Sequence, residues 1–566
     1  MISDITGTGI LKMRIIKLIL ILILLSDNAY AQEVYYSNGI VSSAQELASQ
    51  VGIEILKKGG NAVDAAVGVG FALSVVYPQA GNIGGGGFMM IHLKDGRNTS
   101  IDYREKAPLL SARDMFLDVN GNVIPDLSTS GNLAAGVPGS VAGMLYALDK
   151  YGTLSRNEVM EYAINIADTG FNINEVFAEL LNKYQKDFSE YSGTMKIFGG
   201  NFRPGVNLIQ KDLANTLREI RDNGKDGFYK GKIADLIVSE MRNTNGIISY
   251  DDLLKYEPKE RDVLKGTYRG FEIISMGPPS SGGISLIYLL NILENYDLGE
   301  YGYGSVTNIQ LMTEAMRRVY SDRSEFMGDA DFVSVPVDIL TSKFYSLNRM
   351  NDYSSDSASK SIKIKHGDAY YKESDQTTHY SIADKDGNFV SVTTTLNDVF
   401  GNKVVVDGAG FFLNNEMDDF VSKPGTPNLY GLVGSDANAI QPEKRMLSSM
   451  TPTFVFKDNK PFLILGSPGG GRIITTVLQT VINIIDYGYD LDKAIDAPRF
   501  HHQWYPDEIQ IEKDFGSESS RNKLRDMGYS LKEIPDFGRV DAIMILNDGT
   551  MTGHSDRRGY GKAIGF

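Results

Sequence analysis

A short run of hydroxyl-bearing residues at positions 376–381 (QTTHYS) is the part of the sequence best suited to chemistry. A Thr hydroxyl is a weak nucleophile, and nothing around this run has the pattern of a base. If the peptide bond before Thr377 is cut, the freed α-amine lies close enough to the hydroxyl to accept its proton. An α-amino group has a pKa of about 7.7–8.0, so it is partly unprotonated at neutral pH. The run therefore predicts self-cleavage between Gln376 and Thr377, which makes Thr377 both nucleophile and base.

The same segment has the pattern of a β-hairpin. Apolar or branched residues alternate on both sides of the Asp-Gly pair at 386–387, which is typical of a tight turn. Centring the turn on this pair places Thr377 opposite Thr395 or Leu396, so Thr395 can offer a hydroxyl to the Thr377 side chain. Asn397 points the same way as Thr395, because side chains alternate along a strand. Strand propensity alone would also explain a Thr-rich hairpin, so the wider sequence must decide.

The elements that would position this hairpin are also visible as patterns. Residues 44–76 predict two helices, and the second is apolar on all sides, which is typical of a buried helix. Residues 155–245 predict mostly helices with polar, charge-mixed faces. Residues 350–376 are rich in Ser, Asp and Lys without periodicity, so we expect an exposed segment that leads to the predicted cleavage site.

Composition excludes several kinds of site. The sequence has no cysteine, which excludes disulfides, thiolate–metal sites and a cysteine nucleophile. The net charge of −15 provides no basic stripe for phosphates, so we expect no nucleic-acid partner. The six histidines show no metal-ligand spacing, and neither a metal nor an organic cofactor is predicted. His379, on the same predicted strand as Thr377, is a candidate to line the site but is not assigned as a base.

The N-terminus has the pattern of a secretory signal peptide over residues 1–31. Basic residues precede an apolar run at 18–25, and a small-residue site follows at 29–31. Cleavage is predicted after Ala31, which implies a periplasmic or secreted protein. The apolar run is shorter than the roughly 20 residues of a membrane-spanning helix, and an uncleaved anchor is the alternative.

Ordered motifs along the chain resemble those of the γ-glutamyltranspeptidases, a family of N-terminal-nucleophile hydrolases. The match runs from about residue 34 to the C-terminus in the family's order, which is far more specific than any single motif. The motifs similar to the large subunit are GGNAVDAAVGVGFALSVVYPQAGNIGGGGFMM, DYREKAP, VPGSVAGM and GPPSSGG. Those similar to the small subunit are QTTHYSIADKDGNFVSVTTTLN, FFLNNEMDDF, LYGLVGSDAN, KRMLSSMTPTFVF, LGSPGGGRIITTVLQ and DAPRFHHQW.

This resemblance implies an α+β fold, a four-layer αββα sandwich that two autoproteolytic fragments form jointly. Residues 32–376 would be the large subunit and residues 377–566 the small catalytic subunit, paired as a heterodimer. The implied activity is that of a γ-glutamyltransferase that also hydrolyses glutathione. Thr377 would take up the γ-glutamyl group as an ester and pass it to water, to amino acids or to dipeptides.

The resemblance also implies roles for individual residues. Thr395 would orient the nucleophile, and the backbone N–H groups of Gly469 and Gly470, ahead of a predicted helix, would form the oxyanion hole. The γ-glutamyl group carries an α-carboxylate and an α-amine, so its site needs partners of both charges. The residues matched to these groups are Arg104, Ser448 and Ser449 for the carboxylate, and Asp419 assisted by Glu416 and Asn397 for the amine.

A Gly-, Pro- and Asn-rich stretch at residues 422–446 resembles the lid that covers the γ-glutamyl pocket in many bacterial members. Tyr430 is its expected gate residue. A disordered surface loop would have the same composition, so this interpretation depends on the resemblance.

Two alternative functions remain open from the sequence. A β-lactam or glutaryl acylase on the same scaffold would share the nucleophile and the oxyanion glycines, but it should lack the set formed by Arg104, Asp419 and the Ser448-Ser449 pair. A secreted binding protein that never matures is the second alternative. The intact sequence at 376–378 argues against it.

Overall fold

The computed structural model of the protein describes residues 34–366, 377–426, 428–429 and 432–566. The predicted signal peptide (residues 1–31, cut after Ala31), the cleavage-site residue Gln376 and the gate residue Tyr430 lie outside the described residues. In the part of the chain that is described, no helix is long and apolar enough to cross a membrane.

The described chain contains both helices and strands, with mainly helical runs at residues 140–255 and 282–348. The strands are β1 (Gly39–Ser43), β2 (Gly86–His92), β3 (Asn98–Asp102), β4 (Phe171–Asn172), β5 (Asn207–Leu208), β6 (Lys259–Arg261), β7 (Leu264–Tyr268), β8 (Phe271–Ser275), β9 (Thr378–Asp384), β10 (Phe389–Thr395), β11 (Thr453–Lys457), β12 (Lys460–Gly466), β13 (Phe500–His501), β14 (Ile509–Ile511), β15 (Leu531–Glu533), β16 (Asp541–Ile545), β17 (Met551–Ser555) and β18 (Lys562–Gly565). The α-helices are α1 (Glu46–Lys57), α2 (Ala62–Val76), α3 (Ser140–Tyr151), α4 (Arg156–Thr169), α5 (Glu175–Lys183), α6 (Gln185–Phe188), α7 (Ser192–Phe198), α8 (Lys211–Asn223), α9 (Asp226–Tyr229), α10 (Gly231–Asn243), α11 (Tyr250–Lys255), α12 (Gly282–Leu293), α13 (Leu298–Tyr301), α14 (Val306–Phe326), α15 (Val337–Leu340), α16 (Lys343–Asn348), α17 (Arg472–Ile485), α18 (Leu491–Asp496) and α19 (Glu518–Asp526). Short 3-10 helices cover Asn132–Ala134, Ser361–Lys363, Glu416–Asp419 and Asp436–Asn438.

The Thr-rich segment forms the predicted hairpin from β9 and β10. The two strands pair antiparallel, with Thr378 opposite Thr394. Extending this register by one pair places Thr377 across from Thr395, and not across from Leu396. The hairpin prediction is therefore confirmed, and the observed register shows that Thr395 is the residue across from Thr377.

A buried carboxylate, Asp384, fixes the turn of this hairpin. One of its oxygens accepts hydrogen bonds from the backbone N–H groups of Asp386 (2.9 Å) and Asn388 (3.0 Å). The other accepts a hydrogen bond from the N–H of Ala62 (2.9 Å), the first residue of α2. Gly387 has a φ of 88°, in the left-handed region that favours glycine. The turn and the buried helix are thus joined through one side chain.

Two antiparallel sheets form the centre of the fold. The first has the strand order β18-β1-β9-β10-β2-β3-β6, so the hairpin occupies its middle. The second has the order β17-β16-β12-β11-β8-β7. Strands from before and after residue 377 are interleaved in the first sheet, and they meet in the second where β11 pairs with β8. Both parts of the chain therefore build each sheet jointly.

The two sheets pack face to face, with helices on their outer faces. β9 and β10 contact β12 and β16 of the second sheet, α1 and α2 cover the first sheet, and α12 and α17 cover the second. Every residue of α2 is buried, as its apolar composition predicts, and the same is true of α12. This arrangement confirms the predicted α+β class and the four-layer αββα sandwich.

His379 shares the sheet face of Thr377 but lies deeper, between the two sheets. Its Nδ1 is 2.9 Å from Thr393 Oγ1, and its Nε2 is 3.1 Å from Ser381 Oγ. Burial lowers the pKa of His379 to about 3, so the ring is neutral. The side chain is not among those that line the pocket at Thr377, so the expectation that it lines the site is wrong.

The segment before the predicted cleavage site is partly docked. Residues 351–360 are mostly exposed, as expected, but Ser361 is buried. The indole N–H of Trp504 donates hydrogen bonds to the carbonyl of Ser361 (2.9 Å) and to that of Ile364 (3.1 Å). The prediction of a wholly exposed segment is therefore wrong at these two residues, because a partner distant in sequence covers them. It is also wrong at Met350, the buried first residue of the segment.

We expect Gly466→Ala to destabilise the packing between the sheets. The added Cβ would lie 2.4 Å from atoms of the buried His379 ring, and such overpacking costs about 1–3 kcal/mol. The free energy of unfolding, measured by urea denaturation, should fall by this amount. Gly277→Ala is the matched control, because the nearest atom would be 3.5 Å away. Equal losses in the two variants would contradict this prediction.

Candidate active site

A pocket opens at the end of the hairpin and brings together most of the predicted site residues. It encloses about 530 Å³, part of which is open to solvent. The predicted residues that line it are Arg104, Thr377, Thr395, Asn397, Glu416, Asp419, Ser448, Ser449 and Gly470. The sequence places these residues far apart, and the two sheets bring them to one location.

Thr377 lies immediately before the first residue of β9 and is only 4% exposed. Across the ladder, Thr395 ends β10, and its Oγ1 accepts a hydrogen bond from the Asn397 backbone N–H (2.8 Å). Asn397 has a φ of 74°, and its side-chain Nδ2 donates to the Asn415 carbonyl (3.0 Å). Backbone contacts thus hold Thr395 and Asn397 at the strand end, beside the proposed nucleophile.

Arg104 follows β3 and is almost fully buried at the pocket. Its guanidinium donates hydrogen bonds to Glu416 Oε1 and Asp419 Oδ2, and it also donates to the carbonyl of Leu447 (3.2 Å). A third carboxylate, that of Glu105, lies 3.5 Å away. Burial alone would lower the pKa of Arg104, but Glu416 and Asp419 raise it overall, so the side chain stays charged.

The carboxylates around Arg104 outnumber its single charge. Burial raises the pKa of Glu416 and that of Asp419, although the charge of Arg104 opposes the rise. A positively charged group on a bound ligand would therefore favour the ionised form of these acids. The structure places the predicted carboxylate partner, Arg104, in direct contact with the predicted amine partner, Asp419. A ligand that carries both charges could pair with both.

Ser448 and Ser449 line the pocket from the loop before β11, directly after Leu447, whose carbonyl accepts a hydrogen bond from Arg104. The Ser448 Oγ accepts a hydrogen bond from the Met450 backbone N–H (3.1 Å). The Ser449 Oγ accepts one from Nη2 of Arg323 (2.9 Å). Since each hydroxyl has one proton to donate, the pair can donate to a carboxylate that also faces Arg104.

Gly469 and Gly470 form the loop that precedes α17. Their φ angles are 133° and 51°, in the region that favours glycine. The Gly469 carbonyl accepts from the N–H of Arg472 (2.9 Å), and the Gly470 carbonyl accepts from that of Ile473 (3.2 Å). These two hydrogen bonds fix the glycine loop against the first turn of the helix. Gly470 lines the pocket, whereas Gly469 precedes the lining residue.

Part of the predicted lid, residues 422–446, packs against the pocket. The side-chain Nδ2 of Asn428 donates to Asp419 Oδ1 (3.0 Å), and that of Asn438 donates to the Asp419 carbonyl (2.7 Å). Both asparagines line the pocket. Asn428 and Asn438 therefore form part of the pocket wall, while other described residues of the stretch are exposed.

Arg323 is a charged pocket residue that the sequence analysis did not identify. It lines the pocket from α14 and is 3% exposed. The helix also carries Arg317 and Arg318, and nothing in the sequence separates an arginine that faces the pocket from its neighbours. Its contact with Ser449, 126 residues further along the chain, is a tertiary contact that no local pattern predicts.

The described residues contain no cluster of His, Asp and Glu side chains that could hold a metal ion. His501 and His502 are buried, and burial lowers the pKa of each ring. The Nδ1 of His501 lies 2.8 Å from Thr475 Oγ1 in α17, so the ring contacts the helix that follows Gly469 and Gly470.

Comparison with known proteins agrees with this geometry. The sequence model of the family described as Gamma-glutamyltranspeptidase matches residues 48–566. The chain is 50% identical over 525 residues to a glutathione hydrolase proenzyme of Escherichia coli (strain K12), over 92% of this chain and 90% of that protein. The crystal structure of Helicobacter pylori γ-glutamyltranspeptidase is similar with a TM-score of 0.56 and 50% identity, over 57% of this chain and 94% of that chain. A crystal structure of cephalosporin acylase from Bacillus halodurans is similar with a TM-score of 0.83 and 25% identity, over 95% and 97% of the two chains.

The αββα sandwich with a Thr at the start of a central strand is the fold of the N-terminal-nucleophile hydrolases. The chain belongs to the γ-glutamyltranspeptidase family, because the family model and the Escherichia coli relative both match nearly its whole length. The resemblance drawn from the ordered motifs is thereby confirmed.

Proposed function

We propose that this protein is a γ-glutamyltransferase and glutathione hydrolase that matures by self-cleavage between Gln376 and Thr377. The observation that carries the proposal is the pocket in which Thr377 meets Arg104, Asp419 and the two serines. The Escherichia coli relative is named a glutathione hydrolase proenzyme, which agrees with both the activity and the processing.

Self-cleavage and catalysis use the same hydroxyl. In the precursor, the Thr377 Oγ1 attacks the Gln376 carbonyl, the peptide C–N bond breaks, and water opens the resulting ester. The freed α-amine of Thr377 then serves as the base. It takes the proton from Oγ1 as this oxygen attacks the γ-amide carbonyl of glutathione, and it returns the proton to the leaving amine. Thr395 orients the nucleophile, and the N–H groups of Gly469 and Gly470 stabilise the oxyanion.

The γ-glutamyl-Thr377 ester is then passed on. Attack by water gives hydrolysis, and attack by the amine of an amino acid or dipeptide gives transfer. No metal or organic cofactor takes part in these steps, since the residue supplies its own base.

Recognition of the acyl group depends on both of its charges. Arg104 binds the α-carboxylate with help from Ser448 and Ser449, and the guanidinium fork suits two-point contact. Asp419 binds the α-amine, assisted by Glu416 and Asn397. A substrate that lacks one charged group would leave buried partners unpaired, which can reduce kcat/KM by a factor on the order of 10⁴.

The two fragments, residues 32–376 and 377–566, stay together as a heterodimer because each sheet contains strands from both. Tyr430 acts as the gate of the lid over the acyl pocket. The secretory pattern at residues 1–31, with cleavage after Ala31, places the enzyme in the periplasm or outside the cell.

A second candidate is an acylase that removes a glutaryl or β-lactam side chain. The similarity of the fold to that of the Bacillus halodurans cephalosporin acylase, over nearly the full length of both chains, supports this candidate. The site favours γ-glutamyl substrates, because a glutaryl group has no amine to pair with Asp419. Comparing γ-glutamyl and glutaryl p-nitroanilides on the same protein separates the two candidates.

Intact mass and N-terminal sequencing test the maturation step. Wild-type protein should give two fragments, one beginning at Thr377, and Thr377→Ala should remain uncut and inactive because it lacks the hydroxyl. Thr378→Ala is the matched control, since its buried neighbouring hydroxyl makes no hydrogen bond within the described chain, and it should still be cut. A wild-type chain that stays whole would refute self-processing and favour the binding-protein alternative.

Asp419→Asn tests recognition of the α-amine. Loss of this charge should lower kcat/KM for γ-glutamyl p-nitroanilide by about 100-fold or more, while kcat/KM for the glutaryl compound should not fall. Asp418→Asn is the control. Asp418 is also buried, but it is not among the residues that line the pocket, and its carboxylate accepts a hydrogen bond from the Ser128 hydroxyl (2.6 Å). An equal loss on both substrates in Asp419→Asn would contradict the assignment.

A further inference from the structure

Arg323 donates hydrogen bonds to two serine hydroxyls at the site. From α14, its Nη2 donates to Ser449 Oγ (2.9 Å) and its Nε donates to Ser281 Oγ (2.8 Å). The side chain is buried and lines the same pocket as Thr377. It is therefore a second guanidinium at the site, and Arg104 is held separately by carboxylates.

The contact with Ser449 fixes the direction of that hydroxyl. A guanidinium has only donors, whereas a hydroxyl has one proton and two acceptor positions. The Ser449 oxygen must therefore accept from Arg323, and its own proton must point elsewhere. In the described chain, the Ser449 hydroxyl makes no other hydrogen bond, and it borders the pocket. Its proton is thus available to an acceptor in the pocket.

The contact with Ser281 fixes the neighbouring backbone. Because the Ser281 hydroxyl accepts from Arg323, it uses its own proton to donate to the Ser448 carbonyl (2.7 Å). The Ser281 backbone N–H donates to the same carbonyl (2.8 Å). Arg323 therefore holds the Ser448-Ser449 segment directly through one hydroxyl and indirectly through another.

We propose that Arg323 is a positioning residue that presents the Ser449 hydroxyl as a donor and thereby selects acyl groups that carry an α-carboxylate. This assignment rests on the proposed γ-glutamyl activity. It goes further, since it identifies the residue that directs the proton of the Ser449 hydroxyl toward the α-carboxylate of the acyl group. Because Arg323 is a charged donor, its hydrogen bond to the Ser449 hydroxyl is stronger than one from a neutral donor.

Tyr320 offers a contrast on the same helix. It lies one turn before Arg323 in α14, and its hydroxyl donates to the carbonyl of Gly471, at the oxyanion loop. Its removal should disturb the loop that contacts the reacting carbonyl and leave the carboxylate end intact. The two residues are thus expected to affect different kinetic parameters.

The test compares γ-glutamyl p-nitroanilide with 4-aminobutyryl p-nitroanilide, which lacks only the α-carboxylate. In Arg323→Gln, KM for the γ-glutamyl compound should rise by about 10- to 100-fold, while kcat stays within about 3-fold of the wild type. Turnover of the 4-aminobutyryl compound should change little, so the preference between the substrates falls. In Tyr320→Phe, kcat should fall by a similar factor for both substrates, and the preference should be retained.

Each outcome decides the assignment. If the wild type is active and Arg323→Gln loses activity equally on both substrates, the role assigned to Arg323 is overturned, because that pattern indicates a general structural defect. The proposed function would still stand. A wild type inactive on the γ-glutamyl compound would refute the proposed function and this assignment with it. If Arg323→Gln gives no fragments, Arg323→Lys replaces it, since Lys keeps the charge but cannot contact both serines. Failure of both variants to mature would also overturn the selective role.

Discussion

The pairing of β9 with β10 is the constraint on which the site depends. Side chains alternate along a strand, so a slip of one residue would turn Thr377 to the opposite face of the sheet. The Asp384 carboxylate opposes such a slip, because it accepts hydrogen bonds from the turn and from the start of α2. Since the hairpin also lies in the middle of the first sheet, the position of Thr377 follows from packing on both sides.

We infer that charge pairing decides which acyl groups bind beside Thr377. Arg104 is buried among carboxylates, and a buried charge is tolerated only when it is paired. An acyl group that brings both an ammonium and a carboxylate can exchange with these partners and leave every charge satisfied. An acyl group with one charge would leave a buried group uncompensated. We therefore propose that selectivity follows from the same interactions that pair the charges of the pocket.

Local features of the site were predictable from the sequence, and distant contacts were not. The spacing around the Asp-Gly turn was sufficient to predict the hairpin and to limit the partner of Thr377 to Thr395 or Leu396, because both depend on nearby residues. The register of the two strands in the structure then selects Thr395. The layer order required the family resemblance, since pairs such as β1 with β18 join the two ends of the chain. Arg323 and the docking of Ser361 on Trp504 depend on tertiary contacts, which no local pattern reports.

The most direct test of the account is the identity of the acylated residue. The matured protein would be mixed with a γ-glutamyl p-nitroanilide in the absence of an acceptor and quenched in acid, and the smaller fragment would be analysed by tandem mass spectrometry. The account predicts an added γ-glutamyl group on Thr377, the first residue of that fragment. Acylation of any other residue, or turnover by a Thr377→Ala chain, would contradict it.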